Sequence, residues 1–203
     1  MNEEATESPI TILFTDVEGS TDLRTARGDR AAQEMLGAHE LLVRGQVEAH
    51  GGHEVKALGD GFMVAFASVR RALACAVAIQ RALEEHNRLH PGHAIRVRVG
   101  LNSGEVLEQS GDLYGAAVNA AARIAAKAKG GEILAAEVVR QLAGPGCDFA
   151  FRDRGRFWLK GFREGWRLWE VPWQESWLDL LDQGRAAIRR HDWQEAFDLL
   201  RRA

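Results

Sequence analysis

Glu54-Val55-Lys56-Ala57-Leu58-Gly59-Asp60-Gly61-Phe62-Met63-Val64-Ala65-Phe66 is two apolar runs folded around three turn residues. A glycine-flanked aspartate between such runs predicts a tight β-hairpin with Asp60 at its tip. Towards the N-terminus, Ile10 to Phe14 is short, β-branched and apolar, with Asp16 just beyond it. That pattern predicts a buried strand with an acidic group at its C-terminal end. Between the two, Arg30 to His50 carries Leu36, Val43 and Val47 at helical spacing, and Gly51-Gly52 stops the helix. Downstream, Arg70 to Asn87 reads as a second helix with Leu73, Ala76, Val77 and Leu83 on one face. Ile95, Val97, Val99 and Leu101 alternate with Arg96, Arg98 and Gly100, which is a strand. Glu105 to Gln109 is expected to pair beside it. Gly115 to Lys129 is alanine-rich and helical, Glu132 to Ala135 a short strand, and Phe149–Leu159 with Trp166–Val171 a terminal hairpin. Strands and helices alternate, but hairpins interrupt the alternation. The expected class is therefore α+β, with a mixed or antiparallel sheet and helices on one face. No Gly-x-Gly-x-x-Gly opens the first helix and no Walker loop is present.

The bulk properties narrow the function classes. The 203 residues are 46% hydrophobic and 27% charged, as in an ordinary globular protein, and the net charge of -3 argues against a dedicated nucleic-acid binder. Two cysteines, Cys75 and Cys147, make no disulfide framework and point to a reducing compartment. Met1 to Pro9 is acidic and polar, unlike a secretory signal, and reads as a disordered tail. No stretch approaches the ~18 apolar residues of a membrane span, so a cytoplasmic protein without membrane contact is expected. The expected organisation is a tail 1–9, a domain 10–172 and a helical segment 173–203. In that last segment two helices flank a His191-Asp192 break. Gly184, Ala187, Ala196, Leu200 and Ala203 fall where a tetratricopeptide repeat places small and packing residues. A plain helical hairpin fits equally well. Through it the chain could contact a regulatory protein.

Asp16 and Asp60 are the first candidates for chemistry. Gly19-Ser20 follows one and Gly59 and Gly61 flank the other. Glycines let backbone approach a phosphate, and two carboxylates beside such loops suit Mg²⁺ completed by substrate oxygens. The plainer reading makes Asp60 a turn residue and Asp16 a helix cap. Asn119 and Arg123 are four apart on one helix face among alanines, which is a site or a solvated edge.

Three segments, taken in order, resemble class III adenylyl and guanylyl cyclases. Phe14-Thr15-Asp16-Val17-Glu18-Gly19-Ser20-Thr21 resembles their first metal motif, and Lys56-Ala57-Leu58-Gly59-Asp60-Gly61 their second. Asp112 through Arg123, with Asp, Gly, Val-Asn and Arg in register, is similar to the third. The resemblance covers about residues 10–171. It implies a ferredoxin-like or palm-like mixed sheet with helices packed on it, followed by the C-terminal helical hairpin. It implies that Asp16 and Asp60 hold two divalent ions, Mg²⁺ or Mn²⁺. Lys56 and Asp112 would contact the purine, Asn119 would position the ribose and Arg123 would stabilise the transition state. Lys160, in Leu159-Lys160-Gly161, would grip the triphosphate. Many family members carry an arginine near Gly131-Glu132-Ile133, where this chain has Glu132.

The same resemblance implies a homodimer in which one chain supplies Asp16 and Asp60 and its twin supplies Lys56, Asp112, Asn119 and Arg123. Adenine offers an N1 acceptor and an N6 donor. Lysine only donates and an ionised aspartate only accepts, so Lys56 and Asp112 complement adenine rather than guanine. The expected activity is conversion of ATP to 3′,5′-cyclic AMP and pyrophosphate for intracellular signalling. The alternatives are a guanylate cyclase and a catalytically silent dimerisation or nucleotide-sensing module. His50 and His53 lack a metal-binding spacing, and the six tryptophans, crowded into the C-terminal third, read as packing residues.

Overall fold

The computed structural model describes residues 4–5, 9–20, 28–174, 185 and 187–202. They divide into two compact units, 1–172 and 173–203. In the first, strands β2 (Ile10–Val17), β3 (His53–Ala57), β4 (Gly61–Phe66), β5 (Val97–Gly104), β8 (Ile133–Ala136), β9 (Arg152–Trp158) and β10 (Gly165–Glu170) form one sheet, ordered β3-β4-β2-β5-β8-β10-β9. All neighbours are antiparallel except β5 and β8, which run parallel. The sheet is therefore mixed, as expected.

Helices cover both faces, not one. Alternation along β2 and β4 places Ile12, Phe14, Met63 and Ala65 in one cluster with Ala117, Val118, Ala121 and Ala125 of helix α3 (Ala116–Ala125). Phe62 is one residue from Met63 and faces the other way. Its ring meets His39 of helix α1 (Asp29–Ala49) at 5.6 Å. Helix α2 (Val69–Leu89) packs beside α1 and is tied to the sheet by Gln80 Nε2, which donates to the Val97 carbonyl at 2.8 Å. The α1/α2 region and the 116–125 segment each turn an apolar face to the sheet. Nothing in their sequence says which face each covers.

Ser68 caps α2 by accepting from the Arg71 amide. The helix buries Leu73, Ala76, Val77 and Leu83, the face read from sequence. A short helix α4 (Glu137–Ala143), not foreseen, follows β8 directly. Leu107–Gln109 (β6) also departs from expectation. It pairs not with the Val97–Gly104 strand but with β7 (Asp112–Tyr114) and with β1 (Glu4–Ala5) in a separate three-stranded sheet. The cause is the two-residue turn Ser110-Gly111. Both φ values are positive, 56° and 79°, the geometry that closes a hairpin locally.

α3 lies against bare backbone. A Cβ on Gly100 would sit 2.2 Å from the Ala125 amide nitrogen and 2.7 Å from the Ala121 carbonyl oxygen. Gly100→Ala should therefore lose about 3 kcal/mol of stability in urea unfolding. Gly92→Ala, whose Cβ meets nothing within 4 Å, should change it by less than ~0.5 kcal/mol. Equal stabilities would show that the helix can shift away.

In the second unit, helix α5 spans Trp193–Arg202, and Ala187 and Ala196 are buried. His191, with φ 62°, makes the bend between them. Of the first expected helix, 185 and 187–189 are described and are helical, while Gly184 lies outside the described residues. Cys75 and Cys147 are unpaired, and burial pushes the Cys75 thiol up to about 12, so it stays protonated. Among the described residues no helix is long and apolar enough to cross a membrane.

Candidate active site

β2 runs three residues beyond Phe14, so Asp16 is a strand residue. It pairs with Gly61 on one side and with Arg98 on the other. Alternation from Ile12 and Phe14 puts its side chain on the α3 face of the sheet. There Arg98 Nε and Nη2 both reach Asp16 Oδ2 at 2.5 Å. Asp60 stands at the hairpin tip. Its carbonyl accepts from the Val17 amide at 3.2 Å, and the Ser20 hydroxyl donates to its carboxylate. A Cβ at Gly61 would lie 2.1 Å from the Thr15 carbonyl oxygen, so only glycine lets the hairpin close this tightly on β2. The two carboxylates, remote in sequence, thus share one end of the sheet. Behind them His39 is 1% exposed with neither ring nitrogen bonded among the described residues. Burial pushes it down to about 4, so it is neutral and adds no cation beside the acids.

This donor set suits a hard divalent ion. It is all oxygen and both acids are partly exposed. Among the described residues no three His, Cys, Asp or Glu side chains converge on a common point. Asp16 and Asp60 are the residues that would hold the ions.

Lys56 and Asp112 meet elsewhere on the same face. A register shift between Glu54 and Lys56 sets Lys56 opposite Met63, whose side chain packs towards α3. Lys56 Nζ donates to Asp112 Oδ2 at 2.5 Å, while Asp112 Oδ1 accepts from the Leu113 amide at 2.8 Å. The Lys56 ammonium, then the Tyr114 hydroxyl and the Leu113 amide, hold the Asp112 carboxyl below its usual range. The pair presents one donor group and one acceptor group.

Asn119 and Arg123 lie on the exposed face of α3, opposite its buried alanines. Neither side chain is bonded to any described residue. Lys160 sits in the β9–β10 turn, exposed and likewise unbonded among the described residues. Glu132 is held by Arg154, at 3.1 Å, which also bonds Glu170 at 3.0 Å. One chain therefore unites Asp16 with Asp60 and Lys56 with Asp112, and leaves Asn119, Arg123 and Lys160 without contact to either pair. Sequence reasoning missed Arg98 beside Asp16, the bond from Ser20 to Asp60, and the Tyr114 ring 5.7 Å from the Lys56 ammonium. Arg98 had a signal: a charge alternating with Val97 and Val99 on the strand face shared by Gly100.

A family model described as the adenylate and guanylate cyclase catalytic domain matches residues 2–171. The chain belongs to this cyclase family. Its relatives include a putative adenylate cyclase of Rhizobium meliloti, 32% identical over 78% of this chain. The chain spans only 27% of that relative, and 6% of an adenylate cyclase of Mycosarcoma maydis, also 32% identical. An adenylate/guanylate cyclase/hydrolase structure from Silicibacter pomeroyi superposes with a TM-score of 0.75 at 29% identity, covering 84% of this chain and 98% of that one. Adenylate cyclases from Trypanosoma brucei, described in their monomeric state, give 0.73 at 25% identity, covering 81% and 90%. A solved guanylyl cyclase gives 0.74 at 26%, covering 84% and 94%. Fold and family are common to cyclases of both purines, so the cyclase domain's own base preference rests on its residues.

Proposed function

We propose that this cyclase domain converts ATP to 3′,5′-cyclic AMP and pyrophosphate in sites completed by a second copy of the chain. The observation that carries the reading is the Lys56–Asp112 ion pair at 2.5 Å, a fixed donor beside a fixed acceptor. Adenine presents the complementary acceptor and donor at N1 and N6, whereas guanine presents the reverse. A base that mispairs with a lysine and a carboxylate loses about 1–3 kcal/mol, roughly 5- to 150-fold.

The reaction joins the ribose 3′ oxygen to the α-phosphorus, breaks the bond to the β-phosphate bridging oxygen, and releases the hydroxyl proton to water. Bound divalent ions would lower the hydroxyl's pKa and neutralise the leaving phosphates. Asp16 and Asp60 bind and orient those ions. Asn119 holds the ribose so that the hydroxyl lies in line with the phosphorus. Arg123 meets the charge growing on the α-phosphate oxygens with a planar, permanently charged donor set. Lys160 grips the remaining phosphates. Asn119 and Arg123 are exposed and touch neither acid among the described residues of their own chain, so the reading takes these acids from a twin. In an isologous pair each acid end faces the other chain's α3, giving two equivalent sites.

Purified protein given equal ATP and GTP with Mn²⁺ or Mg²⁺ should form cyclic AMP with at least about a fivefold preference in kcat/KM. Chelation of the divalent ions should stop the reaction. Cyclic GMP as the main product would reverse the base assignment. No cyclic nucleotide with either ion would leave a silent binding module.

A further inference from the structure

Asp16 has two cross-strand neighbours, and they are unequal. On β4 it faces Gly61, which carries no side chain; on β5 it faces Arg98. Val97 and Val99 are fully buried and fix the strand on either side of Arg98, whose own side chain therefore points to the face that Asp16 occupies. Arg98 Nε and Nη2 both donate to the same oxygen, Asp16 Oδ2, at 2.5 Å. Among the described residues Oδ1 accepts no hydrogen bond, and Asp16 is the one carboxylate that Arg98 bonds.

A charge count separates the two acids. Asp60 is met by the neutral Ser20 hydroxyl, and His39 behind the pair is neutral too. Arg98 is the one cation bonded to either acid among the described residues. A divalent ion is balanced by two carboxylates. With the guanidinium in place it meets two negative charges less one, and one of the four carboxylate oxygens is already taken. Arginine keeps its charge at any working pH, so this cation is not titrated away and has to move. The contact permits that. Both side chains are about a third exposed, 32% and 34%, so the ion pair is screened by water and readily broken.

We propose that Arg98 is a positioning residue that acts as an internal counter-cation at Asp16, competing there with the divalent ion and lowering the chain's affinity for it until the guanidinium leaves Oδ2. This rests on the reading of Asp16 as an ion ligand in the proposed reaction.

The test is Mn²⁺ binding to the full chain without nucleotide, followed by the paramagnetic resonance signal of the free ion. Arg98→Gln should bind Mn²⁺ about tenfold more tightly than the parent, because one repelling charge is gone. Arg98→Met, which keeps a long apolar stem across the strand, should match it. Arg98→Lys keeps the charge and should stay within about threefold of the parent. In an Asp16→Asn background Arg98→Gln should gain nothing, since competition needs the carboxylate. Thermal unfolding is a second readout: Mn²⁺ should raise the midpoint further in Arg98→Gln than in the parent. A residue that merely braced the strand would weaken binding when replaced, not tighten it. Affinity unchanged or weakened in both neutral variants overturns the proposal, as does equal tightening in the Asp16→Asn background. If Asp16→Asn alone binds Mn²⁺ as tightly as the parent, Asp16 is no ion ligand and the proposal falls with that role. A chain that turns over neither nucleotide overturns the cyclase reaction instead, and the Mn²⁺ titrations still decide the role of Arg98.

Discussion

Arg123→Ala should lower kcat by roughly 10²- to 10³-fold while KM for ATP moves by no more than a few-fold. The size of the effect follows from where the guanidinium acts. In the proposed reaction it meets charge that exists only during attack, so its loss would fall on the transition state rather than on binding. The split is readable because Arg123 supports nothing in its own chain: it is exposed and bonds no described residue. Thermal unfolding should be unchanged, so lost turnover cannot be blamed on lost fold. Arg123→Lys should recover activity only in part, since an ammonium lacks the planar fork that spans two phosphate oxygens. A kcat within twofold of the parent for Arg123→Ala would remove the residue from the mechanism.

The second large effect is complementation between two dead chains. Asp16→Ala should be inactive because the ion loses an anionic ligand. Asn119→Ala should be nearly inactive because the ribose hydroxyl is no longer held in line. Mixed in equal amounts and allowed to exchange, half the dimers are hybrids, and each hybrid keeps one intact site of two. Activity should return to about a quarter of the parent value. If hybrids form, as shown by two affinity tags, and activity stays absent, then the sites are not shared. Asp16→Ala also unpairs Arg98, which bonds Asp16 Oδ2 at 2.5 Å, so Asp16→Asn is the control for charge-specific loss.

What could be read from the sequence was what depends on local pattern. The strand of alternating valines at 97–101, the Asp60 hairpin and the stop at Gly51-Gly52 are each set by side-chain period or by turn chemistry within a few residues. The resemblance implied that Lys56 and Asp112 contact one base, but not that they pair with each other. The bulge that puts Lys56 opposite Met63 was not foreseen, because a register shift leaves no mark on composition. The 105–109 strand was placed in the wrong sheet for the same kind of reason. Its partner is chosen by positive φ at Ser110 and Gly111, and serine gives little warning of that geometry. The side of the sheet taken by α3 depends on Gly100, a single residue whose meaning is a packing distance. Arg98 was passed over because it carries its role through a neighbouring aspartate.

The absence of any side chain between Gly100 and the turn holding Ala121 and Ala125 has a mechanical result. Most helices rest on a layer of rotatable groups that absorbs small displacements. Here peptide touches peptide, and that junction has no slack. Any force that tilts the central strands, from a neighbouring domain or a bound molecule, must carry the helix with it as one rigid lever. Arg123 stands on that lever's outer side, so its reach is set by the attitude of the sheet rather than by side-chain motion beneath it.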